Sequence, residues 1–331
     1  MSIRYKALEA TEDEGRFSLS IVEKTTDDLP EGDLLIKVEY SSLNYKDAMS
    51  ASGIPGVTRN YPHTPGIDAA GEIIESSTEE FKKGEKVIVT GYDLGMNTSG
   101  GFGEFIRVPS TWALHLPKDL STKQSMSLGT AGLTAGLSIH SLDSYQGWTG
   151  FSGTKSVVTG ATGGVGSISV MLLSALGSEV TAVSGKKDQI DFLKSLGATE
   201  VLSREELAEK TRKPIGKSLW DIGVDVVSGE TLSLLLTSLS PGGAIACSGL
   251  VGGPSFESSI FPFILRGNAL LGIDSVEIPL EDKIHVWKHF STDWSLNKLE
   301  EITKVVSLEG LEVEIKSILA GEQTGRVVVK L

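Results

Sequence analysis

Four glycines in the eleven-residue run Ser156-Val-Val-Thr-Gly160-Ala-Thr-Gly163-Gly164-Val-Gly166 leave this chain few folds to adopt. An apolar strand meets the turn, and apolar periodicity resumes toward Gly177, which predicts strand, tight turn and helix in succession. The glycines let the backbone turn sharply, approach a ligand closely, and pack the helix against the strand. The helix start points unbonded N–H groups and the positive end of its dipole beyond the turn. A pyrophosphate suits that place. A second apolar strand, Glu179-Val-Thr-Ala-Val-Ser184, follows about one strand–helix–strand unit later. That succession makes a common glycine pattern a dinucleotide-binding fingerprint.

The end of the second strand bears on which dinucleotide. An NAD site usually carries Asp or Glu about 20 residues after the glycines, on the ribose 2′-hydroxyl. Here the chain reads Ser184-Gly185-Lys186-Lys187, and the first carboxylate is Asp188. A carboxylate would repel a 2′-phosphate, whereas Ser184 can hydrogen-bond it and Lys186 or Lys187 can neutralise it. Cations at a helix start are unfavourable by roughly 0.3–1 kcal/mol each. A phosphate partner accounts for them better than solvation does, so NADPH is the expected cofactor. Arg204, after a third strand ending at Leu202-Ser203, reads either as a second phosphate ligand or as a surface arginine.

A chain of 331 residues has room for two domains, each with its own core. No apolar run approaches the roughly 20 residues that cross a bilayer. The start, Met1-Ser-Ile-Arg4, has no apolar signal region, so the expected location is the cytoplasm. The net charge of −13 argues against nucleic acid as a partner, since phosphate backbones demand a basic face. A single cysteine, Cys247, excludes an internal disulfide and reads as the end of a core strand.

Two styles of patterning divide the chain. Leu34–Tyr40, Gly71–Ile74, Lys86–Thr90 and Phe105–Val108 read as short strands between turns such as Leu29-Pro-Glu-Gly-Asp33, a mostly antiparallel β domain. From about Ser125, strands alternate with helices, which implies a parallel sheet with strands at 156–160, 179–184, 199–202, 222–227, 243–249 and 269–273. Arg326-Val-Val-Val-Lys-Leu331 reads as a terminal strand.

The order of these motifs resembles the medium-chain dehydrogenase/reductase superfamily. The resemblance rests on the β-rich start, Pro65-Gly66-Ile67-Asp68-Ala-Ala-Gly71-Glu72, Gly84-Glu85-Lys86-Val87, the glycine fingerprint, and the closing Gly325-Arg326-Val-Val-Val. It implies a GroES-like β-rich catalytic domain at 1–122 and 296–331, and a doubly wound Rossmann domain at 123–295. The ligand would lie in the cleft between them. Many members are zinc alcohol dehydrogenases, and this chain departs from them at the metal positions. Asn44 stands where their catalytic cysteine falls, and Ile67 replaces the histidine of their Gly-His-Glu, followed by Asp68. One cysteine cannot build a structural zinc lobe of four. Catalytic zinc needs about three protein ligands, and neither Asp68 nor His63 has partners at ligand spacing. His285 and His289, at i and i+4 on an expected helix, read as a surface pair. No metal is expected.

Five further strings, Ser41-Ser-Leu-Asn-Tyr-Lys-Asp47, Pro65-Gly-Ile-Asp68, Gly129-Thr-Ala-Gly-Leu-Thr134, Phe261-Pro-Phe-Ile-Leu-Arg266 and Gly272-Ile-Asp-Ser275, resemble the YhdH/YhfP group of quinone oxidoreductase-like proteins. That group includes NADPH-dependent acrylyl-CoA reductases. The resemblance implies that Thr162, Gly163, Gly164 and Val165 hold the pyrophosphate, and that Ser184, Gly185, Lys186 and Arg204 hold the 2′-phosphate end. Tyr45 would lie by the nicotinamide, with Leu250, Ile264 and Ser275 lining its pocket. Gln323 is a looser match near the terminal strand.

Without zinc, the acceptor must take hydride readily, as an enoyl thioester or a quinone does. Tyr45, Asn44 or Thr130 would supply hydrogen bonds to the developing oxyanion, and Tyr45 or water the proton. For Asn44 and Asp47, turn and strand-end hydrogen bonding is an equal expectation. Arg59, in an exposed-looking loop, is the candidate for a CoA phosphate. A redox sensor that binds NADPH with little turnover is the alternative, and a homodimer is the family's usual assembly.

Overall fold

The computed structural model describes residues 2–147, 150–211, 213, 215–294 and 296–331. Two compact units emerge, one of residues 1–130, 275–292 and 299–331, the other of 131–274 and 293–298. The helix Leu280–Ser291, which the sequence division places in the second domain, groups with the first. Ser295, the end of that division's second domain, lies outside the described residues.

The second unit is built on six parallel strands, Lys155–Thr159, Glu179–Val183, Ala198–Leu202, Trp220–Asp225, Leu239–Cys247 and Ala269–Gly272. Their order in the sheet is third, second, first, fourth, fifth, sixth. This is the doubly wound dinucleotide-binding order. The central strands are apolar on both faces because helices cover both. Val157, Val158, Ala182, Ile222, Val224 and Ala244 to Ala246 are all fully buried. The observed strands start one to four residues earlier than expected at 198, 220 and 239, where Ala198, Trp220 and Leu239 bury against the core.

In the first unit, a seven-stranded sheet carries Leu34–Ser42 at its centre, paired antiparallel to Asp68–Ser76, Phe105–Val108 and the terminal strand Arg326–Lys330. Its faces bury Leu34, Ile36, Val38, Ile73 and Val89 on one side, and Leu43, Phe102, Leu311 and Val329 on the other. Sequence patterning misses the hairpin Arg4–Asp13/Arg16–Thr25, whose alternation is blurred by charges. Glu14 and Gly15 both take positive φ (50° and 79°), the conformation of a tight two-residue hairpin turn.

One long helical run, Thr122–Gln146, is broken at Gly129 (φ 53°, ψ −153°). A Cβ at Gly129 would lie 2.5 Å from an Asp68 carboxylate oxygen and from Ser42 Oγ. The break therefore makes room for the polar cluster described below. No helix among the described residues is long and apolar enough to cross a membrane.

Candidate active site

The glycine turn forms as its sequence predicts. Gly160 (φ 56°) follows the first strand, and Gly163 caps the helix Gly164–Ala175. A Cβ at Gly166 would meet Gly160 O at 2.3 Å, so only glycine permits this helix to close on its strand. Thr162 is buried beside the turn, and Gly164 and Val165 open the helix. Their N–H groups belong to the first turn, which lacks intrahelical acceptors.

Ser184, Gly185, Lys186 and Arg204 come together at the ends of the second and third strands. Ser184 is buried, and its Oγ accepts the Lys186 N–H at 3.0 Å. A Cβ at Gly185 would lie 3.3–3.5 Å from three atoms of the Arg204 guanidinium, which therefore spans that residue. Lys186, Lys187, Ile190, Ser203, Glu205 and Glu206 help line a groove of about 420 Å³ there. The Glu206 carboxylate accepts the Ser203 N–H at 2.7 Å and the Glu206 N–H reaches Ser203 Oγ at 3.1 Å. That reciprocal cap occupies one acid of the groove with the helix Arg204–Thr211. A glycine-turn cradle with serine, lysines and arginine at the next strand fits the two phosphate ends of NADPH.

Leu250 and Ile264 are exposed apolar residues of the second unit, at 60% and 66%. Ser275 is buried and belongs to the first unit. Gln323 donates to Gly325 O at 3.2 Å near the terminal strand.

The first unit holds a buried network that sequence reading missed. Asp68, fully buried, accepts from Ser42 Oγ (2.5 Å), Asn44 Nδ2 (2.8 Å), Thr130 N–H (2.9 Å) and Thr130 Oγ1 (2.6 Å). Arg326, 2% exposed, donates to Ser127 O, Leu43 O, Asn44 Oδ1 and Ser42 Oγ at 2.8–3.3 Å. Asn44 Nδ2 also reaches Ser42 O at 3.3 Å. The side-chain donors of Asn44 and Thr130, expected to meet a substrate oxygen, are instead directed at Asp68. Tyr45 alone of the three faces outward, 37% exposed, its hydroxyl without a hydrogen-bond partner among the described residues.

Tyr45 begins the helix Tyr45–Ala51, and Asn44 caps it. Asp47 accepts the Asn44 N–H at 2.7 Å and the Ile67 N–H at 2.8 Å, closing the cap. Burial, reinforced by the charge of Asp68, pushes the Asp47 carboxyl up to about 7, against the pull of those two N–H groups. Burial likewise lowers Arg326, and the charges of Asp68 and Asp47 oppose it. A carboxyl raised in the native state holds a proton that the unfolded chain, near 3.9, has released. The unfolded state then binds fewer protons, so this group's contribution falls as pH rises from about 4 through about 7. Thermal melts should therefore show a lower midpoint at pH 8 than at pH 6, with that slope lost in Asp47→Asn. An Asp47→Asn slope equal to the parent's would exclude Asp47 as its source.

Among the described residues no three His, Cys, Asp or Glu groups gather to hold a metal. His63 is buried with its Nε2 against Gly95 O at 2.9 Å, and burial depresses its pKa. His285 and His289 pair on their helix with Nε2 atoms 3.2 Å apart. Cys247 ends its strand half-buried, and burial together with Asp225 pushes its thiol up to about 11. A thiol so protonated is a poor nucleophile.

Residues 30–118 match the alcohol dehydrogenase GroES-like domain family, and residues 164–291 the zinc-binding dehydrogenase family. The chain is similar to YhfP of Bacillus subtilis, provisionally named a quinone oxidoreductase, with 42% identity over the whole of both chains. It is 39% identical to the acrylyl-CoA reductase AcuI of Ruegeria pomeroyi over 96% of each. The crystal structure of the YhdH oxidoreductase of Salmonella enterica in complex with NADP superimposes with a TM-score of 0.94 at 36% identity, covering 98% of this chain and 99% of that one. YhfP has been crystallised with NAD bound.

Proposed function

This chain belongs to the medium-chain dehydrogenase/reductase family, in the group of YhfP, YhdH and AcuI, and is an oxidoreductase; we propose that it reduces an activated C=C of an acrylyl-CoA-like thioester, or a quinone, without zinc. NADPH, when bound, supplies the hydride. The observation that carries the cofactor reading is the Arg204 guanidinium lying across Gly185 beside Ser184 and Lys186, a cationic seat where the second strand itself ends without a carboxylate.

The remaining work falls to the chain's own residues. The helix start at Gly163 and Gly164 orients the pyrophosphate, and Leu250 and Ile264 of the same unit offer apolar contact to the nicotinamide. Tyr45 offers its hydroxyl to the acceptor carbonyl and stabilises the oxygen that gains charge, and Tyr45 or water returns a proton to the α-carbon. Asn44 and Thr130 support it from beneath rather than touching the acceptor.

Zinc independence is supported by the donor set. The positions of the superfamily's metal ligands hold Asn44, Ile67 and a carboxylate already taking four hydrogen bonds. A divalent cation there would break those bonds and sit close to the Arg326 guanidinium.

A homodimer is supported by the apolar surface of the second unit. Val251, Ile260 and Leu265 are each more than 60% exposed, next to Ala269–Gly272, the edge strand of the six-stranded sheet. Exposed apolar patches and open edges mark association surfaces. Leu265→Glu should sediment as a monomer at micromolar concentration where the parent is a dimer.

The test of function follows NADPH oxidation with acryloyl-CoA and, separately, 1,4-benzoquinone. Turnover of acryloyl-CoA at kcat/KM above about 10⁴ M⁻¹s⁻¹, ordinary for an enzyme on its own substrate, supports the thioester. Turnover of benzoquinone alone assigns a quinone reductase. NADPH binding with neither turnover leaves the sensor reading in its place.

A further inference from the structure

We infer that Asp68 and Arg326 are positioning residues of the reduction, holding through Ser42 and Asn44 the turn that presents Tyr45 to the acceptor. The inference rests on the reading of Tyr45 given above.

The Asn44 amide is gripped at both ends by opposite charges. Its Oδ1 accepts from the guanidinium of Arg326 at 3.3 Å, and its Nδ2 donates to the carboxylate of Asp68 at 2.8 Å. Ser42 repeats the arrangement with one atom, its Oγ accepting from Arg326 at 2.8 Å and donating to Asp68 at 2.5 Å. Hydrogen bonds to charged groups are the stronger kind, and all five side chains involved, with Thr130, lie buried or half-buried. Asn44 is the cap of the helix whose first residue is Tyr45, so a fixed Asn44 fixes the backbone that carries the phenol. The fourth residue of that turn, Asp47, is tied to Ile67 N–H, the neighbour of Asp68, at 2.8 Å. Both sides of Tyr45 are therefore anchored to one carboxylate's surroundings.

The same carboxylate caps the helix that restarts after Gly129. Thr130 N–H and hydroxyl both point to Asp68, and only a glycine before them avoids the carboxylate. Two helix starts, at Asn44 and at Thr130, are thus referred to one point. A carboxylate near both starts is also favoured by their dipoles. Replacing a side chain that touches substrate removes chemistry; loosening this point leaves the chemistry in place and misplaces it, and small misplacements are costly in rate.

Ser42→Ala is the suitable probe. It cuts one path between the two charges, yet leaves Asp68 three donors and Arg326 three acceptors, so the fold survives. The expected result is a fall in kcat of about 10- to 100-fold with the NADPH Kd within twofold of the parent. Thr130→Ser, which keeps the hydroxyl, should retain most of the rate that Thr130→Ala loses. Amide exchange over residues 44–48 should speed up at least tenfold in Ser42→Ala while the strand Lys86–Thr90 stays protected. The double variant Asp68→Asn/Arg326→Met, which removes the two opposite charges together, should fold and remain slow. A kcat within threefold of the parent in Ser42→Ala and in the double variant would overturn the inference. So would an unchanged exchange rate over 44–48, and that arm decides even if the parent reduces neither acceptor, a result that would sink the functional reading instead.

Discussion

In Arg204→Glu, the Kd for NADPH rises by about 10²–10³-fold while the Kd for NADH changes by less than about threefold. Arg204 stands across Gly185, within reach of whatever ligand Ser184 and Lys186 face. Hydrogen bonds to charged groups are worth about 1.5–3 kcal/mol, and reversing the charge adds repulsion, so two to three powers of ten are expected at about 1.4 kcal/mol each. The fold should tolerate the change, because residue 204 opens the helix Arg204–Thr211 and an acid is favoured in a first turn. Fluorescence titration with each cofactor checks it. Equal weakening of both would mean that Arg204 serves the fold, and no weakening of either would send the 2′-phosphate elsewhere.

Tyr45→Phe should lower kcat by about 10²-fold or more, the range seen when one oxyanion donor or general acid is removed. Its NADPH Kd should hold within about twofold. The ring is retained, so the packing that a half-exposed side chain provides is kept and only the hydroxyl is lost. Steady-state kinetics with whichever acceptor turns over, together with NADPH titration, separates the two quantities. A kcat within threefold of the parent would leave protonation to solvent and take the phenol out of the scheme. The contrast with Ser42→Ala is informative, since one variant removes the donor and the other its support.

The glycine turn proposed to hold the cofactor is legible in the sequence because its demands are local. Gly160, Gly163 and Gly166 report local backbone demands, and a strand that must turn at once into a helix states them within eleven residues. Ser184 to Lys186 are equally local, being the end of the neighbouring strand. Sequence leaves Arg204 open between ligand and surface, and the pairing of the third strand with the second brings it over Gly185. The parallel sheet follows from apolar runs spaced by helices, and its order matches the doubly wound pattern.

The sequence marks Asn44, Tyr45 and Thr130 alike as donors, and their surroundings differ only in three dimensions. The motif around Asp68 is plain in the sequence, but nothing in it says that the aspartate takes four hydrogen bonds. Arg326 opens the terminal strand ahead of the apolar run Val327 to Val329, and its partner Ser42 lies 284 residues earlier.

The amino-acid sequence by itself determined the strand–turn–helix for a dinucleotide, the missing metal ligands, and the alternation that builds the parallel sheet. These are properties of residues close together in the chain, where glycine geometry and hydrophobic period act directly. Only the tertiary structure decided which polar side chains face outward and which face one another. A buried charge must find its partners among whatever strands lie beside it, and for Arg326 that neighbour is the antiparallel strand Leu34–Ser42 from the far end of the chain.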